Sequence, residues 1–405
     1  MPTASTWNLL DKGRGRVDLF SRNDRWNAIA DELFDDTFCK AVELQNHYCD
    51  LLLQRLWLEL DLGRRLTRPT TAAELAGDLD FVPSADVTLD AMLRRLSRRV
   101  GIVQTVPGAP LRYIARGTPA DPERALTDVR GSMADLGDQW PAALELMDFG
   151  AHHFVHALRD DPEFMDRILS GREPQHADMW HRATNADPLQ DIHGIFGGRV
   201  LDELFEPGGT ILEIGGGTGN GIRNFLASLE MHHRVEDVGN YIFTDISNRF
   251  LIGTRKEISK RWPTVPTDWK FLDLNEPISA QKFPVGEIDI IYAVNAAHVA
   301  KDIVGFLRGC REVLRPGGRV AFSERVRWIP DGMAPRELAL NLSIYHRTAA
   351  EKSTARPLHC YLHPEGWRRV LSEAGLVDIE IIPDLDRMST RMREPYAAVV
   401  TAVAR

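Results

Sequence analysis

The chain has 405 residues, a length that predicts two domains or more. Its 43% apolar and 26% charged residues are ordinary for a globular protein, and a net charge of −9 argues against a protein that mainly binds nucleic acid. The cysteines are scattered without a C-x-x-C pair, which indicates a reducing compartment and no zinc site (Cys39, Cys49, Cys310, Cys360). The first residues lack a signal-peptide pattern and no apolar run reaches membrane-spanning length, so we expect a cytoplasmic protein without membrane contact.

The segment 23–60 predicts a long helix with one broad apolar side, and Gly63 is its predicted end. The apolar stripe is wider than a lone surface helix needs. We therefore expect it to pack between subunits or against the second domain. Its members are Phe34, Phe38, Val42, Leu44, Tyr48, Leu51, Leu52, Leu56 and Leu60.

Residues 70–115 predict two helices closed by a two-stranded hairpin, which is the winged-helix order. The first helix begins after a Thr cap. One interpretation is a DNA-binding unit in which arginines contact phosphates; the other is a scaffold whose arginines form a solvated face. The acidic chain favours the scaffold. The arginines in question are Arg94, Arg95, Arg98 and Arg99.

Residues 120–200 predict a mostly helical region. His152 and His156 lie one turn apart, a spacing that can bring two imidazoles onto one metal ion. The sequence offers no evident third ligand. Lining a pocket or a surface position is the favoured interpretation, and we expect no metal.

From residue 209 onward, strand and helix patterns alternate, which predicts an α/β fold with a doubly wound, mostly parallel sheet. We expect a mostly helical, winged-helix-like domain over 1–195 and a catalytic domain over 196–405, with an insertion at 325–365. Ligands of such sheets bind beyond the carboxyl ends of the strands. The residues that end each strand are therefore the candidates for chemistry.

The first strand runs into a glycine-rich turn in TILEIGGGTGNG at 210–221. A dinucleotide site needs G-x-G-x-x-G, and this turn fails the third glycine. The segment instead reads E-x-G-x-G-x-G through Glu213, Gly215, Gly217 and Gly219. It resembles motif I of the class I S-adenosylmethionine (SAM) dependent methyltransferases, which implies a Rossmann-like methyltransferase sheet with SAM as cofactor and these four residues beside it.

The next strand ends extend this resemblance. Asp245 implies a carboxylate that accepts hydrogen bonds from the ribose hydroxyls, although it also suits a helix cap. Asp273 and Leu274 imply contacts with the adenine amine and ring, or else a turn carboxylate. Asn295 completes the cofactor-binding set at the end of the following strand.

His298 and Glu324 follow two neighbouring strands where the sheet opens to an acceptor. A neutral imidazole can take a proton near pH 7, and a carboxylate can fix its tautomer. The pattern resembles the C-methyltransferase domains of polyketide synthases, in which N-x-x-H-A-T supplies the histidine and a glutamate completes a dyad. This chain departs from that motif after His298, where Val-Ala replaces Ala-Thr. A purely structural histidine is the alternative.

The insertion contains Tyr345 and His346, which line the substrate pocket or cap the sheet. The 70–115 unit resembles the winged-helix dimerisation domain of small-molecule O-methyltransferases. That resemblance implies a homodimer and no nucleic-acid partner.

Three functions remain open. The first is a methyltransferase of natural-product metabolism that acts on carbon or oxygen of a small or carrier-protein-bound acyl acceptor, with His298 and Glu324 as catalytic residues. The second keeps the fold and SAM but cyclises the aminobutyryl part of SAM to azetidine-2-carboxylate and releases methylthioadenosine. The third is a winged-helix regulator with SAM as effector. The adenosyl product separates the first two.

Overall fold

The structure is a computed structural model that describes residues 22–170, 172–329, 332–347, 355–356 and 360–405. Its first helices are α1 (Arg22–Leu33), α2 (Asp36–Glu59) and α3 (Leu62–Arg65). The helix predicted over 23–60 is two helices, because the Asp35 carboxylate accepts a hydrogen bond from the Phe38 N–H and starts α2. The prediction that Gly63 ends the helix is wrong, because this residue lies inside α3.

The small unit that follows contains β1 (Thr70–Thr71), α4 (Ala72–Asp78), α5 (Ala85–Arg95), β2 (Val103–Val106) and β3 (Arg112–Ala115). Thr71 caps α4 as predicted, and Glu74 completes a reciprocal capping box. The three strands form an antiparallel sheet in the order β1-β3-β2. The helix–helix–hairpin order agrees with the sequence, whereas β1 was not predicted; the winged-helix assignment stays a prediction.

Two of the four arginines named from the sequence do not form a solvated face. Arg95 is 2% exposed, and its Nε lies 2.6 Å from the Asp50 carboxylate of α2. Arg99, just after α5, bridges Asp50 and Glu394 and so joins this unit to α2 and to the C-terminal half. Arg94 pairs with Asp90 within α5, and Arg98 is exposed.

Five helices complete the first half, as the sequence predicted: α6 (Glu123–Ala134), α7 (Ala142–His152), α8 (Phe164–Leu169), α9 (Ala177–Asn185) and α10 (Pro188–Leu204). His153 packs its ring against Phe149 and Phe164. The helix α10 runs without interruption through the domain boundary predicted at 195/196. That boundary stays a prediction.

The second half builds a seven-stranded sheet in the order β6-β5-β4-β7-β8-β10-β9, with β10 antiparallel to both of its neighbours. Strands β4 to β8 run parallel to one another, which confirms the predicted doubly wound fold. The elements are β4 (Thr210–Ile214), α11 (Asn220–Met231), β5 (Asn240–Asp245), α12 (Asn248–Arg261), β6 (Thr267–Phe271), β7 (Ile288–Val294), α13 (Ile303–Val313), β8 (Leu314–Arg325), α14 (Glu337–Leu340), α15 (Ile344–Arg347), α16 (Pro364–Glu373), β9 (Val377–Ile382), α17 (Leu385–Ser389) and β10 (Ala397–Val403).

The two halves pack against each other through aromatic side chains. Phe38 of α2 contacts Tyr396 just before β10, with ring centroids 5.6 Å apart. Phe34 packs within the first half, against Phe196 of α10 at 5.4 Å. This confirms the predicted packing of the apolar stripe against the second half. Within the described ranges, no helix combines the length and the apolar character that crossing a bilayer requires.

Candidate active site

The glycine turn follows β4 at the carboxyl edge of the sheet. Its backbone is left-handed at Gly217, where φ is +53°, a conformation that costs other residues about 1 kcal/mol or more. A Cβ placed on Gly217 would meet no atom closer than 4.0 Å. The turn therefore leaves open space over its own backbone, which suits the close passage of a ligand.

Asp245 ends β5 and holds this turn. One carboxylate oxygen accepts the Gly217 N–H at 2.9 Å, and the other accepts the Ser247 N–H at 2.7 Å. Burial raises the pKa of Asp245, although these two N–H groups act to lower it. The helix α12 begins after Ser247, so Asp245 is not itself the cap residue. Each oxygen keeps a further lone pair for a ligand hydroxyl.

Glu213 lies beneath the turn. Its side chain is fully buried, and one oxygen accepts the Tyr241 hydroxyl at 2.9 Å. Burial raises the pKa of Glu213 to about 8. A Cβ on Gly221 would come within 2.0 Å of the other oxygen, so α11 starts directly over this carboxyl group. Its contacts are with the protein, and a direct contact with the cofactor stays a prediction.

Asp273 and Leu274 follow β6 and are half-buried. The Asp273 carboxylate accepts a hydrogen bond from the Asn275 N–H at 2.9 Å. It therefore acts as a turn carboxylate, which was the alternative to a contact with adenine. The side-chain amide of Gln281 accepts a hydrogen bond from the Asp273 N–H and donates one to the Asp273 carbonyl. The two residues lie at the same sheet edge as Asp245, and their part in binding adenine stays a prediction.

Asn295 follows β7 in a left-handed conformation, with φ at +49°. Its side-chain oxygen accepts the Arg325 N–H at 2.7 Å, which joins the ends of β7 and β8. Its buried Nδ2 has no hydrogen-bond partner in the described part of the protein. This donor is available to a ligand at the junction of the two strands.

His298 and Glu324 form a buried pair at that junction. The His298 Nδ1 lies 2.5 Å from one Glu324 oxygen, and the other oxygen accepts the Ala297 N–H at 2.9 Å. Burial alone lowers the pKa of His298, but the Glu324 carboxylate and the Cys360 thiol outweigh it and raise this pKa. The free pair therefore holds its proton at neutral pH, which differs from the neutral imidazole expected from the sequence.

Two further side chains surround His298. Tyr361 places its ring 4.5 Å from the imidazole. His346, a predicted pocket residue, is buried; its pKa falls to about 3 through burial, and the charge of His298 adds to this effect. The side chain of Tyr345 lies outside the described part. Tyr361 belongs to the insertion that was expected to build the acceptor pocket, whereas Cys360 was not anticipated, because only the fold brings it next to His298.

Arg325, His193 and Tyr396 also lie at this edge and were not anticipated. Arg325 stacks its guanidinium 3.7 Å from the centre of the Tyr396 ring. His193 projects from α10, and its ring centroid lies 5.5 Å from that of Tyr396. Arg325 could have been found from sequence, since it directly follows Glu324. His193 and Tyr396 could not, because they come from elements distant in sequence.

These features fit SAM at the glycine turn. The open space at Gly217, the carboxylate of Asp245 and the unpartnered Nδ2 of Asn295 lie along one edge of the sheet. The N–H groups at the start of α11 also face this edge. Thr218 in the turn donates to Asn185 of α9, so the helical half covers the site.

A family model described as a methyltransferase domain matches residues 212–320. Together with the seven-stranded sheet, this match identifies a SAM-dependent methyltransferase domain in the chain. The resemblance stated from the sequence is thereby confirmed, with SAM as the cofactor of the class.

Curated relatives are polyketide synthases. The highly reducing polyketide synthase PKS2 of Leptosphaeria maculans is 30% identical over 306 residues, which are 75% of this chain and 11% of that protein. Polyketide synthase ThaQ of Burkholderia thailandensis is 35% identical over 179 residues, 43% of this chain and 8% of the relative. The chain thus spans about a tenth of the length of these relatives.

Among solved structures, the fold is that of carbon methyltransferases. The CurJ carbon methyltransferase superposes with a TM-score of 0.73 at 20% identity, over 94% of this chain and 98% of that one. The DszA carbon methyltransferase gives 0.70 at 21%, over 94% and 92%. The methyltransferase domain of the citrinin polyketide synthase gives 0.68 at 15%, over 94% and 97%.

Proposed function

We propose that this chain methylates the acidic carbon of a β-ketoacyl thioester that a carrier protein delivers. The observation that carries the proposal is the buried His298–Glu324 pair, which lies one strand beyond the glycine turn. A carbon acid needs a base, whereas a ready nucleophile does not. The polyketide synthase names of the relatives support an acyl acceptor.

In this proposal, Asp245 accepts the ribose hydroxyls and Asn295 donates its free Nδ2 to the bound cofactor. Glu213 supports the turn from below, and Gly217 leaves room above it. When bound, SAM supplies an electrophilic methyl group, already activated by the sulfonium. The protein's own part is to orient the acceptor, exclude water and remove a proton.

His298 is the proposed base. Glu324 accepts the Nδ1–H of the neutral ring, and Nε2 takes the α-proton of the acceptor in place of the hydrogen bond that the ring makes with the Cys360 thiol. After transfer, the imidazolium lies against a carboxylate that stabilises it. The raised pKa makes this ring a strong base, but one that is neutral only in a minor fraction of molecules at pH 7. The observed rate at neutral pH is therefore proportional to this neutral fraction.

Identification of the adenosyl product tests the function. The purified protein is incubated with SAM and an acetoacetyl thioester, either of N-acetylcysteamine or of a carrier protein. S-adenosylhomocysteine that forms only with acceptor supports methyl transfer. Methylthioadenosine in the absence of any acceptor would support cyclisation of the aminobutyryl group instead. SAM binding without turnover, together with DNA retention, would support a regulator.

The helical half is proposed as a lid over the acceptor and as the dimerisation surface. Its contacts with the second half, from Phe38 to Tyr396 and from Asn185 to Thr218 of the glycine turn, support the first role. Sedimentation of the purified chain tests the second, since a monomer at micromolar concentration would contradict it.

A further inference from the structure

A polar crevice lies on the helical side of the β8 end. It is lined by Gln45 of α2, His193 of α10, Arg325 of β8, Arg336, Tyr361 and Tyr396. Its side chains lie so close together that no water-sized space is open between them in this conformation. Through Tyr361, whose ring lies 4.5 Å from the imidazole, the crevice adjoins His298.

The crevice contains polar atoms without partners. The Nη1 of Arg325 and the Nδ1 of His193 are buried, and neither has a hydrogen-bond partner within the described ranges. Arg325 is 5% exposed and His193 is 1% exposed. A buried donor left unsatisfied destabilises the fold, and more so when it is charged.

The charge of Arg325 also lacks its own carboxylate in the described structure. The nearby carboxylates are committed elsewhere, since Glu337 forms a two-point pair with Arg327 and Glu394 pairs with Arg99. Burial lowers the pKa of Arg325, with nearby Tyr396 and Glu394 acting to raise it. The guanidinium nevertheless stays charged. An uncompensated buried charge costs several kcal/mol, a cost that an anionic ligand offsets.

His193 is suited to the same ligand. Burial lowers its pKa well below the usual value, and the positive charge of Arg325 adds to this effect. The ring is therefore neutral and can present either an N–H or a lone pair at Nδ1. Its position is fixed from the backbone, where the His193 carbonyl accepts the Ser323 hydroxyl at 2.7 Å.

We propose that this crevice is an oxyanion subsite of the acceptor, in which the Arg325 guanidinium binds the enolate oxygen formed when His298 removes the α-proton. The inference rests on the proposed function and adds a residue to it. The C–H bond breaks, the proton passes to Nε2 of His298, and the electron pair becomes the enolate, whose negative oxygen pairs with Nη1 of Arg325. His193 supplies the second contact. The Tyr361 and Tyr396 rings rotate to admit the oxygen.

The test compares Arg325→Met, which keeps an apolar stem, with Arg325→Lys, which keeps the charge. The first readout is solvent-deuterium exchange at the α-carbon of S-acetoacetyl-N-acetylcysteamine, with S-adenosylhomocysteine bound. The second is the affinity for acetylacetone, followed by the ultraviolet absorbance of its enolate. Unchanged SAM affinity and melting temperature show that each variant is folded.

We expect Arg325→Met to lose exchange and kcat by about 100-fold or more, the usual effect of one oxyanion donor, and to lose the enolate absorbance. Arg325→Lys should retain most of both. Exchange and enolate binding within threefold of wild type in folded Arg325→Met would overturn the subsite. If Arg325→Met does not fold, loss of enolate binding in Arg325→Lys to the level of a His298→Ala control overturns it instead.

The two proposals fail separately. If wild type binds the enolate in an Arg325-dependent manner but never transfers a methyl group, the proposed function falls and the anion subsite stands. If wild type methylates carbon at the same rate with and without Arg325, the subsite falls and the function stands.

Discussion

The Nδ1 of His298 and a carboxylate oxygen of Glu324 lie 2.5 Å apart, with both side chains buried. They come from the ends of neighbouring parallel strands, β7 and β8, so the sheet itself aligns them. The same carboxylate accepts the Ala297 N–H, which fixes its orientation. The fold thus holds the proposed base at the carboxyl edge of the sheet, where ligands of such sheets bind.

The His298–Glu324 pair predicts a pH-dependent rate. Since Glu324 raises the pKa of His298, the neutral fraction and the rate of wild type should rise with pH through and above neutrality. Glu324→Gln removes this charge, so the rising limb of the kcat profile should move to lower pH while the maximum rate falls. Steady-state kinetics across pH measure both effects. A profile that coincides with wild type would contradict the pairing.

His298→Ala should lose about 100-fold to 10,000-fold in kcat, the usual contribution of a general base, without a change in SAM affinity.

Glu312→Gln is the matched control for Glu324→Gln, because Glu312 is exposed and accepts a hydrogen bond from the Ser279 hydroxyl. Glu312→Gln should therefore keep the wild-type dependence of kcat on pH, in contrast to Glu324→Gln.

The open space over the glycine turn predicts a selective loss of cofactor. Gly217→Ala places a methyl group where no protein atom lies within 4.0 Å, so stability should fall only by the backbone strain of about 1–2 kcal/mol. SAM affinity should fall much further, because the methyl group occupies ligand space. Calorimetric titration with SAM, together with urea unfolding, separates the two.

Gly286→Ala is the control for that strain. Gly286 has φ at +73° and equally open surroundings, but lies in the loop before β7. Its stability loss should match that of Gly217→Ala while SAM affinity stays at the wild-type value. Equal SAM affinity in both variants would refute a cofactor passing over Gly217.

Asp245→Asn tests the ribose contact. The change removes the charge and one acceptor, which for hydrogen bonds to a charged group costs about 1.5–3 kcal/mol, or roughly tenfold to a hundredfold in affinity. Asp268→Asn on β6 is the control, because that carboxylate is exposed. Titration calorimetry with SAM is the measurement, and a shift common to both variants would remove Asp245 from the cofactor site.

Glu213 predicts a pH-dependent stability. Its pKa of about 8 lies above its unfolded value, so the folded state binds the extra proton and loses stability as pH rises between the two values. The loss is at most about 1.4 kcal/mol for each pH unit. Glu213→Gln keeps the hydrogen bond from Tyr241 and should be more stable than wild type at pH 8, with the difference shrinking towards pH 5. Urea unfolding at both pH values measures it; a constant difference argues against burial as the cause.

Much of the fold and the cofactor edge follows from sequence because the signals are local. The glycine turn, Asp245, Asp273 and Asn295 each end a strand, and parallel strands bring their ends to one edge. The pairing of His298 with Glu324 follows from the same rule.

The crevice beside His298 could not be predicted in this way, because its members meet only through tertiary packing. His193 lies in α10, Tyr361 lies in the insertion, and Tyr396 is the residue just before β10. Arg95 shows the same limit, since a helix pattern does not reveal that Asp50 of another helix buries its charge.

Carbon methylation is tested most directly by the atom that receives the methyl group. The protein is incubated with SAM carrying a ¹³C-labelled methyl group and with an acetoacetyl thioester, and the product is examined by nuclear magnetic resonance. The account predicts a labelled methyl doublet coupled to one α-proton, lost in His298→Ala. A labelled methoxy signal, or a label that remains in methylthioadenosine, would contradict it.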